Sequence, residues 1–278
     1  MIKFFRSIRQ SLIMENKTAK YLKYAIGEII LVVIGILIAL QINNWHQGEL
    51  RLKQEKILLT QLRLELLDIY GDVFSDLASL NESEKSHFKV LDYLKSDLPF
   101  NDSMCLDFYL LKLDQYIYPN KAVYDKIKEI GLDIISKDSI RINVQKLYEN
   151  IFPRISKSNS YTRDISEYLD PYYVEHFTTN TNYNLKLKLH GIKDSLSEQK
   201  YNLPDSDFPT TFEVDGKTIT YTIGFKPIDF ENLKKDNRYL MLLNEVDGNR
   251  AYKIDRYKMA KNLIRKVVTT IDSIQDRS

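Results

Sequence analysis

The clearest pattern of apolar and polar positions lies near the start of the chain. From Ala25 to Ile42 the sequence reads AIGEIILVVIGILIALQI, and only Glu28 interrupts the apolar run before Gln41. As a helix rising 1.5 Å per residue, about 18 residues span roughly 27 Å, close to the hydrocarbon thickness of a bilayer. The pattern therefore predicts a transmembrane helix over residues 24–45.

Two alternatives to a spanning helix are a buried core helix and a cleavable signal peptide. A core helix normally keeps a polar stripe, which this run lacks. Positive charge precedes the run, as it does in a signal peptide. The run is longer than a usual signal-peptide core, however, and it is followed by QINNW rather than by the small residues of a cleavage site. An uncleaved signal anchor is favoured.

The distribution of charge around the apolar run predicts its orientation. Basic residues dominate the preceding segment, with Glu15 as its one acid, whereas the segment after Trp45 carries both signs. The positive-inside bias places residues 1–23 in the cytoplasm. There IKFFRSIRQSLI has the amphipathic pattern of a helix lying on anionic lipid, and a solvated basic tail is the alternative. The basic residues are Lys3, Arg6, Arg9, Lys17, Lys20 and Lys23.

Three residues of the spanning segment are candidates for helix–helix interaction. Glu28 is ionisable, and intramembrane acids are functional candidates because a charge there is costly. It lies one turn inside the boundary, so snorkelling to the interface is an equally direct explanation. Gly35 and Ala39 form a small-xxx-small pair on the same helix face as Glu28, which would let a second helix approach closely.

The remaining chain reads as a mainly α domain. With 9 Gly and 7 Pro in 278 residues, long helices with few turns are favoured over a sandwich or barrel. We expect residues 46–278 to form an extracytoplasmic helical bundle whose first helix rises from the membrane. That helix carries apolar residues at spacings of three and four: Leu59, Leu62, Leu66, Ile69, Val73, Leu77 and Leu80.

Capping and turn residues divide the rest of this domain. Asn81 is expected to cap a second helix, and a later helix is expected to end near Tyr118, before a proline. The segment FEVDGKTITYTIG alternates β-branched and aromatic residues about an Asp-Gly dipeptide, which predicts a small β-hairpin over about 211–223. Two closing helices are predicted, from Asp229 to Val246 and from Ala251 to Ile274.

No catalytic, cofactor or metal site is predicted. The four histidines lie far apart in sequence, there is one cysteine, and no phosphate-binding or nucleophile motif is present. A formal net charge of +2 gives no field for nucleic acid, so no nucleic-acid partner is expected. A tyrosine cluster could line a ligand groove, although packing within the core is the favoured interpretation. The groove candidates are Tyr161, Tyr168, Tyr172 and Tyr173.

The N-terminal residues also carry a family resemblance. The segment YAIGEIILVVIGILIALQINNW resembles the hallmark core of a family of uncharacterised single-pass membrane proteins of Gram-negative bacteria. YPNKAVYDKIKEIGLDIISKDSIRINVQKLYENIFPRI and PIDFENLKKDNRYLMLLNEVDGNRAYKIDRYKMAKNLI are similar to the same family's helical body. The resemblance implies an anchor in the cytoplasmic (inner) membrane and a periplasmic domain of unknown function, and it supplies no catalytic residue.

These observations favour a membrane-anchored periplasmic helical domain that binds a ligand or a protein partner and is not an enzyme. The expected partners are the lipid bilayer and a membrane or envelope protein, with self-association as a further prospect. One alternative is a membrane-tethered hydrolase that acts in the envelope through carboxylates. Another is an oligomeric membrane scaffold.

Overall fold

The computed structural model describes residues 18–158, 163–179, 211–214, 217–220 and 224–276. The chain divides into two units, residues 1–57 and residues 58–278. The described elements confirm that the chain is mainly α. The helices are α1 (Thr18–Lys95), α2 (Met104–Leu110), α3 (Ala122–Ile130), α4 (Asp138–Lys146), α5 (Phe152–Ile155), α6 (Ile165–His176), α7 (Phe230–Leu233) and α8 (Asn237–Gln275). The strands are β1 (Phe177–Thr179), β2 (Thr211–Val214), β3 (Lys217–Thr220) and β4 (Phe225–Pro227).

Helix α1 is one uninterrupted element of 78 residues that includes the predicted spanning segment. The prediction that Asn81 starts a separate helix was wrong. No proline lies between Thr18 and Lys95, and positions that face the interior continue past Asn81 at helical spacing, so packing outweighs the local capping preference. The basic segment predicted over residues 1–23 lies outside the described residues up to residue 17.

The part of α1 in the first unit carries an exposed apolar surface. It is the one helix among the described residues that is long and apolar enough to cross a membrane, and none of its most apolar 18-residue stretch is buried. The exposed large apolar side chains of this stretch are Ile26, Ile29, Ile30, Leu31, Val32, Val33, Ile34, Ile36, Leu37, Ile38, Leu40 and Ile42.

In the second unit, α1 and α8 pair antiparallel along their length. Each advance along α1 is matched by an equal or nearly equal retreat along α8. Polar pairs mark this register: Thr60 with Gln275 at 2.8 Å, Arg63 with Asp272, Tyr70 with Arg265 at 3.2 Å, and Asp76 with Tyr257 at 2.9 Å.

Two apolar cores form in the second unit, at successive levels of this helix pair. The first core joins Leu58 to Leu80 of α1 and Ile254 to Ile271 of α8 with α3, α4 and α5. A turn of 3-10 helix (Leu132–Ile134) and a π-helical turn (Leu147–Ile151) connect these short helices. Gly131 closes α3 at a φ of +113°, a conformation that favours glycine.

The second core joins the C-terminal part of α1 and the N-terminal part of α8 with α2, α6 and α7. The helix predicted to end near Tyr118 ends instead at Leu110. Beyond Leu110 the chain leaves the helix, and the Leu111 carbonyl, the Leu113 carbonyl and Asp114 serve as partners for buried polar side chains of α1 and α8. Interior charge thus outweighs the local helical pattern.

Short antiparallel strand pairs complete the unit. The β2–β3 pairing runs from Thr211 opposite Thr220 to Val214 opposite Lys217, which confirms the strands of the predicted hairpin. The Asp-Gly turn between them lies outside the described residues. The β1–β4 pairing, from Phe177 opposite Pro227 to Thr179 opposite Phe225, was not predicted.

The two closing helices predicted from Asp229 and from Ala251 were also drawn at the wrong boundaries. The structure has the four-residue α7 and then a single α8, which runs through Asp247, Gly248 and Asn249.

Candidate functional site: a buried polar layer

A layer of buried polar and charged side chains separates the two apolar cores. On α1 the layer lies between Leu80 of the first core and Val90 of the second. On α8 it lies between Val246 of the second core and Ile254 of the first. Burying charged groups is costly, and clusters of buried ionisable groups often mark functional sites. This polar layer is therefore the candidate functional site. Its buried side chains are those of Ser83, Ser86, His87, Asp107, Asp114, Arg250 and Lys253.

Asp114 and Lys253 form the central ion pair of the polar layer. The Lys253 ammonium lies 2.5 Å from an Asp114 oxygen and 3.7 Å from the centroid of the Tyr116 ring. Asp114 also accepts hydrogen bonds from the Tyr116 hydroxyl at 2.9 Å and from the Ile165 amide at 3.1 Å. Burial, followed by the charge of Asp114, raises the pKa of Tyr116, so the phenol keeps its proton and donates.

Arg250 is the second buried cation of the polar layer, and its surface exposure is zero. One terminal nitrogen donates to the Leu111 carbonyl, whereas Nε and Nη1 have no hydrogen-bond partner among the described residues. Burial lowers the Arg250 pKa to about 10, and the nearby charges of Asp114 and Asp247 oppose the shift. The guanidinium therefore stays charged at neutral pH and retains unused N–H donors.

His87 faces Arg250 and Asp247 from α1. Its Nε2 atom lies 3.9 Å from an Asp247 oxygen, and its Nδ1 atom has no hydrogen-bond partner among the described residues. Burial and the charge of Arg250 lower the His87 pKa to about 4, against the opposing effect of Asp247. The imidazole is neutral at pH 7.

Asp107 ties α2 to α1 at the edge of the polar layer. One of its oxygens accepts from the Ser86 hydroxyl at 2.9 Å and lies 3.3 Å from the Lys89 ammonium, while the other accepts from the Tyr93 hydroxyl at 2.7 Å. Ser83 adds a separate contact between α1 and α2, because its hydroxyl donates to the Leu110 carbonyl at 2.7 Å. The carboxylate is thus fully engaged by α1.

The geometry of the polar layer fits a structural use of charge. The carboxylates of Asp107 and Asp114 accept hydrogen bonds from donors of the chain itself. In the described part of the chain, Nε and Nη1 of Arg250 and Nδ1 of His87 are left without a hydrogen-bond partner, and buried polar atoms of this kind commonly bind ordered water. Among the described residues, no group of three or more His, Cys, Asp or Glu side chains is arranged to hold a metal ion.

Asp76 is a separate carboxylate that sequence reasoning passed over. It is half-buried on α1 and accepts a hydrogen bond from the Tyr257 hydroxyl of α8 at 2.9 Å. Burial raises the Asp76 pKa to about 6, the hydrogen bond from Tyr257 opposes that shift, and the charge of Asp72 adds to it. Asp76 therefore titrates within two pH units of neutrality.

The tyrosines predicted as groove candidates lie in and against the second core. Tyr172 stacks on Tyr239 with 5.0 Å between ring centroids, and its hydroxyl donates to Asp236, the residue that caps α8, at 2.6 Å. The Tyr173 hydroxyl lies within hydrogen-bonding distance of the Phe108 carbonyl and of the Tyr239 hydroxyl. These contacts are the packing that the favoured interpretation described. Tyr168 packs against the same core, and Tyr161 lies outside the described residues.

The candidates for helix–helix interaction lie on the exposed part of α1 in the first unit. Gly35 and Ala39 are exposed, and Glu28 is partly exposed. A Cβ atom built on Gly35 would meet nothing within 4 Å, so the described residues leave this face open.

Sequence reasoning missed Arg250, Lys253, Asp114 and His87. A signal for the two cations was present, because the interior face of α8 recurs at spacings of four and three and includes both. The series runs Tyr239, Leu243, Val246, Arg250, Lys253, Tyr257, Ala260, Ile264, Val267 and Ile271. Asp114 and His87 offered no such signal, since their burial depends on contacts distant in sequence.

Comparisons with known proteins gave no match to a family model, to a curated protein or to a solved structure. The family resemblance of the N-terminal segment therefore stays a prediction.

Proposed function

We propose that this protein is anchored in the cytoplasmic membrane by α1, with the unit of residues 58–278 in the periplasm as a binding module for an envelope or membrane protein. The observation that carries the proposal is the exposed apolar surface of α1. Twelve large apolar side chains from Ile26 to Ile42 are each at least 47% exposed. Keeping such a surface in water costs roughly 10 to 20 kcal/mol, which lipid removes.

A binding role rather than a catalytic one is supported by the way the buried charges are used. Asp107 and Asp114, the buried aspartates of the polar layer, spend their hydrogen-bonding capacity on the chain's own donors. A carboxylate hydrolase instead needs acids that reach a substrate. A partner that binds at the outer surface would leave the hydrogen bonds and ion pair of the polar layer unchanged.

Sidedness is the first readout of the test. Val174 is 83% exposed and Cys105 is fully buried, so a Val174→Cys variant presents one reactive thiol. A membrane-impermeant maleimide should label Val174→Cys in intact spheroplasts, whereas Ser7→Cys in the basic segment should need permeabilised cells. The opposite pattern would overturn the proposed orientation, and release of the protein by an alkaline carbonate wash would overturn the anchor.

Partner capture is the second readout of the same test. The full-length protein is crosslinked in native membranes and compared with a variant whose residues 24–45 are replaced by an unrelated spanning helix. A partner retained by both proteins supports recognition by the unit of residues 58–278. Loss of the partner on helix replacement moves recognition to Glu28, Gly35 and Ala39. Correct sidedness with no reproducible partner in either protein would contradict a protein-binding role.

A further inference from the structure

One exposed face of α1 carries a regular polar and apolar pattern just beyond the apolar segment. Asn43, Gln47, Leu50, Gln54 and Ile57 follow one another at spacings of four and three and are all exposed, Leu50 at 52% and Ile57 at 58%. We name these five residues the outer stripe. In the second unit, Gln61 and Leu64 continue the same spacing along the sequence and are exposed as well.

The spacing of the outer stripe is that of a coiled-coil seam. An average of 3.5 residues per repeat keeps one line of side chains facing a partner helix along a left-handed supercoil. Each position of the outer stripe is uncharged, although the surrounding segment is rich in charge. The charged residues from 43 to 64 all lie off this spacing: Glu49, Arg51, Lys53, Glu55, Lys56 and Arg63.

We propose that the outer stripe binds the outer stripe of a second copy of this chain, in parallel and in register. In that arrangement every central residue meets its own copy, so each must be compatible with itself. Leu50 and Ile57 pack against their copies, and the amides of Asn43, Gln47 and Gln54 can each donate to and accept from their copies. A charge at any of these positions would face a like charge.

The parallel direction rests on the proposed function. Two copies anchored in one bilayer with the same orientation present their α1 helices side by side, both running the same way. A single Asn at a central position favours one register, and Asn43 stands where the apolar segment gives way to the outer stripe. The pairing thus has a defined partner, direction and register.

The same four-and-three spacing extends back through Ile29, Val33, Ile36 and Leu40. Nearly every position there is apolar, so this part accommodates the pairing without selecting it. Gly35 and Ala39 lie on a neighbouring face of the helix, which makes the outer stripe a surface distinct from the small-xxx-small pair. Selection comes from the uncharged positions beyond the apolar segment.

The chain offers a matched pair of leucines for the test. Leu50 lies on the outer stripe, and Leu52, which is 59% exposed, lies two residues on and about 200° around the helix. Full-length Leu50→Cys and Leu52→Cys proteins are oxidised in native membranes with copper phenanthroline, and dimers are separated on non-reducing gels. The wild-type protein, whose Cys105 is buried, is the background control.

We expect a disulfide-linked dimer with Leu50→Cys and none with Leu52→Cys. Equal dimer formation by both variants would indicate random collision, and formation by Leu52→Cys alone would indicate a different face. Either result, or no dimer from either variant, overturns the proposal. A carbonate wash of the same membranes keeps the two proposals apart, because loss of anchoring would release the protein whatever its crosslinking.

A second pair of variants tests whether the outer stripe stabilises the dimer. In a Gln54→Cys background, Leu50→Lys places like charges across the seam and should abolish the crosslink at position 54. Leu52→Lys adds the same charge on the opposite face and should leave that crosslink unchanged. A crosslink that survives Leu50→Lys as well as Leu52→Lys contradicts the proposed seam.

Discussion

At the scale of single residues, the second unit depends on charges that have left water. The charges of Lys253 and Asp114 compensate each other, but Asp114 has more partners than Lys253. Asp114 is also the acceptor for Tyr116 and for the backbone of α6, whereas Lys253 has the carboxylate and the Tyr116 ring. Removing either member leaves a buried charge without its partner, and removing Asp114 leaves further donors unpaired as well.

We therefore predict that Lys253→Met lowers the free energy of unfolding by about 3 to 5 kcal/mol and that Asp114→Leu lowers it further. Denaturant unfolding of the detergent-solubilised protein measures both changes. Lys258→Met, an exposed lysine on the same helix, is the matched control and should change stability by less than about 0.5 kcal/mol. Equal, small effects at Lys253 and Lys258 would show that the ion pair does not stabilise the fold.

His87 and Asp76 give the unit two opposite responses to acid. The His87 pKa falls from 6.5 to about 4 on folding, so the unfolded chain binds more protons and stability falls as pH drops through this range. The Asp76 pKa rises from 3.8 to about 6 on folding, so the folded chain binds more protons and stability rises over much the same range. In the parent protein these responses offset each other.

Variants should expose each response alone. Asp76→Asn removes the gain and should make stability fall more steeply than in the parent protein as pH drops from 6.5 to 4. His87→Asn removes a loss of about 3 kcal/mol at full protonation. The stability of this variant should therefore rise relative to the parent protein as pH drops from 6.5 to 4. Midpoints of urea unfolding across this pH range provide the measurement. Parallel curves for both variants and the parent would contradict the assignment.

At the scale of elements, helix type followed from periodicity, whereas helix boundaries did not. The interior positions of α1 and α8 recur at spacings of three and four. Asn81 and Gly248 carry local signals for a cap and a break, yet tertiary packing carries both helices through them. Local preferences are worth about 1 kcal/mol each, less than the burial of one core side chain.

Replacing Gly248 with a better helix-forming residue should therefore stabilise the protein. It is exposed in the interior of α8, and a Cβ atom there would meet nothing within 4 Å. Gly248→Ala is expected to stabilise the protein by up to about 1 kcal/mol because it removes backbone freedom from the unfolded chain. Thermal unfolding followed by circular dichroism measures the change.

Gly131→Ala is the contrasting variant. Its φ of +113° disfavours an L side chain, and a Cβ atom there would lie 2.6 Å from a carboxylate oxygen of Asp133. We expect destabilisation. If Gly248→Ala also destabilises the protein, α8 is not continuous at that point.

At the scale of the whole molecule, the mainly α class and the β2–β3 strands were predictable, and the polar layer was not. The layer draws on α1, on residues 107–116 and on α8, which meet only after folding. Charged residues on a helix are ordinarily expected to face solvent, so the burial of Arg250 and Lys253 was not predicted. The β1–β4 pairing joins Phe177 with Pro227, fifty positions apart, and the local sequence pattern does not indicate a pairing at that separation.

The pairing of α1 with α8 has a consequence for how the second unit reaches its final form. Arg63 and Asp272 are 209 positions apart, and Thr60 and Gln275 are 215 apart. Such contacts of long range carry a large loop-closure cost and slow the final folding step. The face of α1 that packs against α8 stays uncovered until α8 has been synthesised. A chain that lacks α8 therefore exposes apolar surface and is vulnerable to proteases and to aggregation.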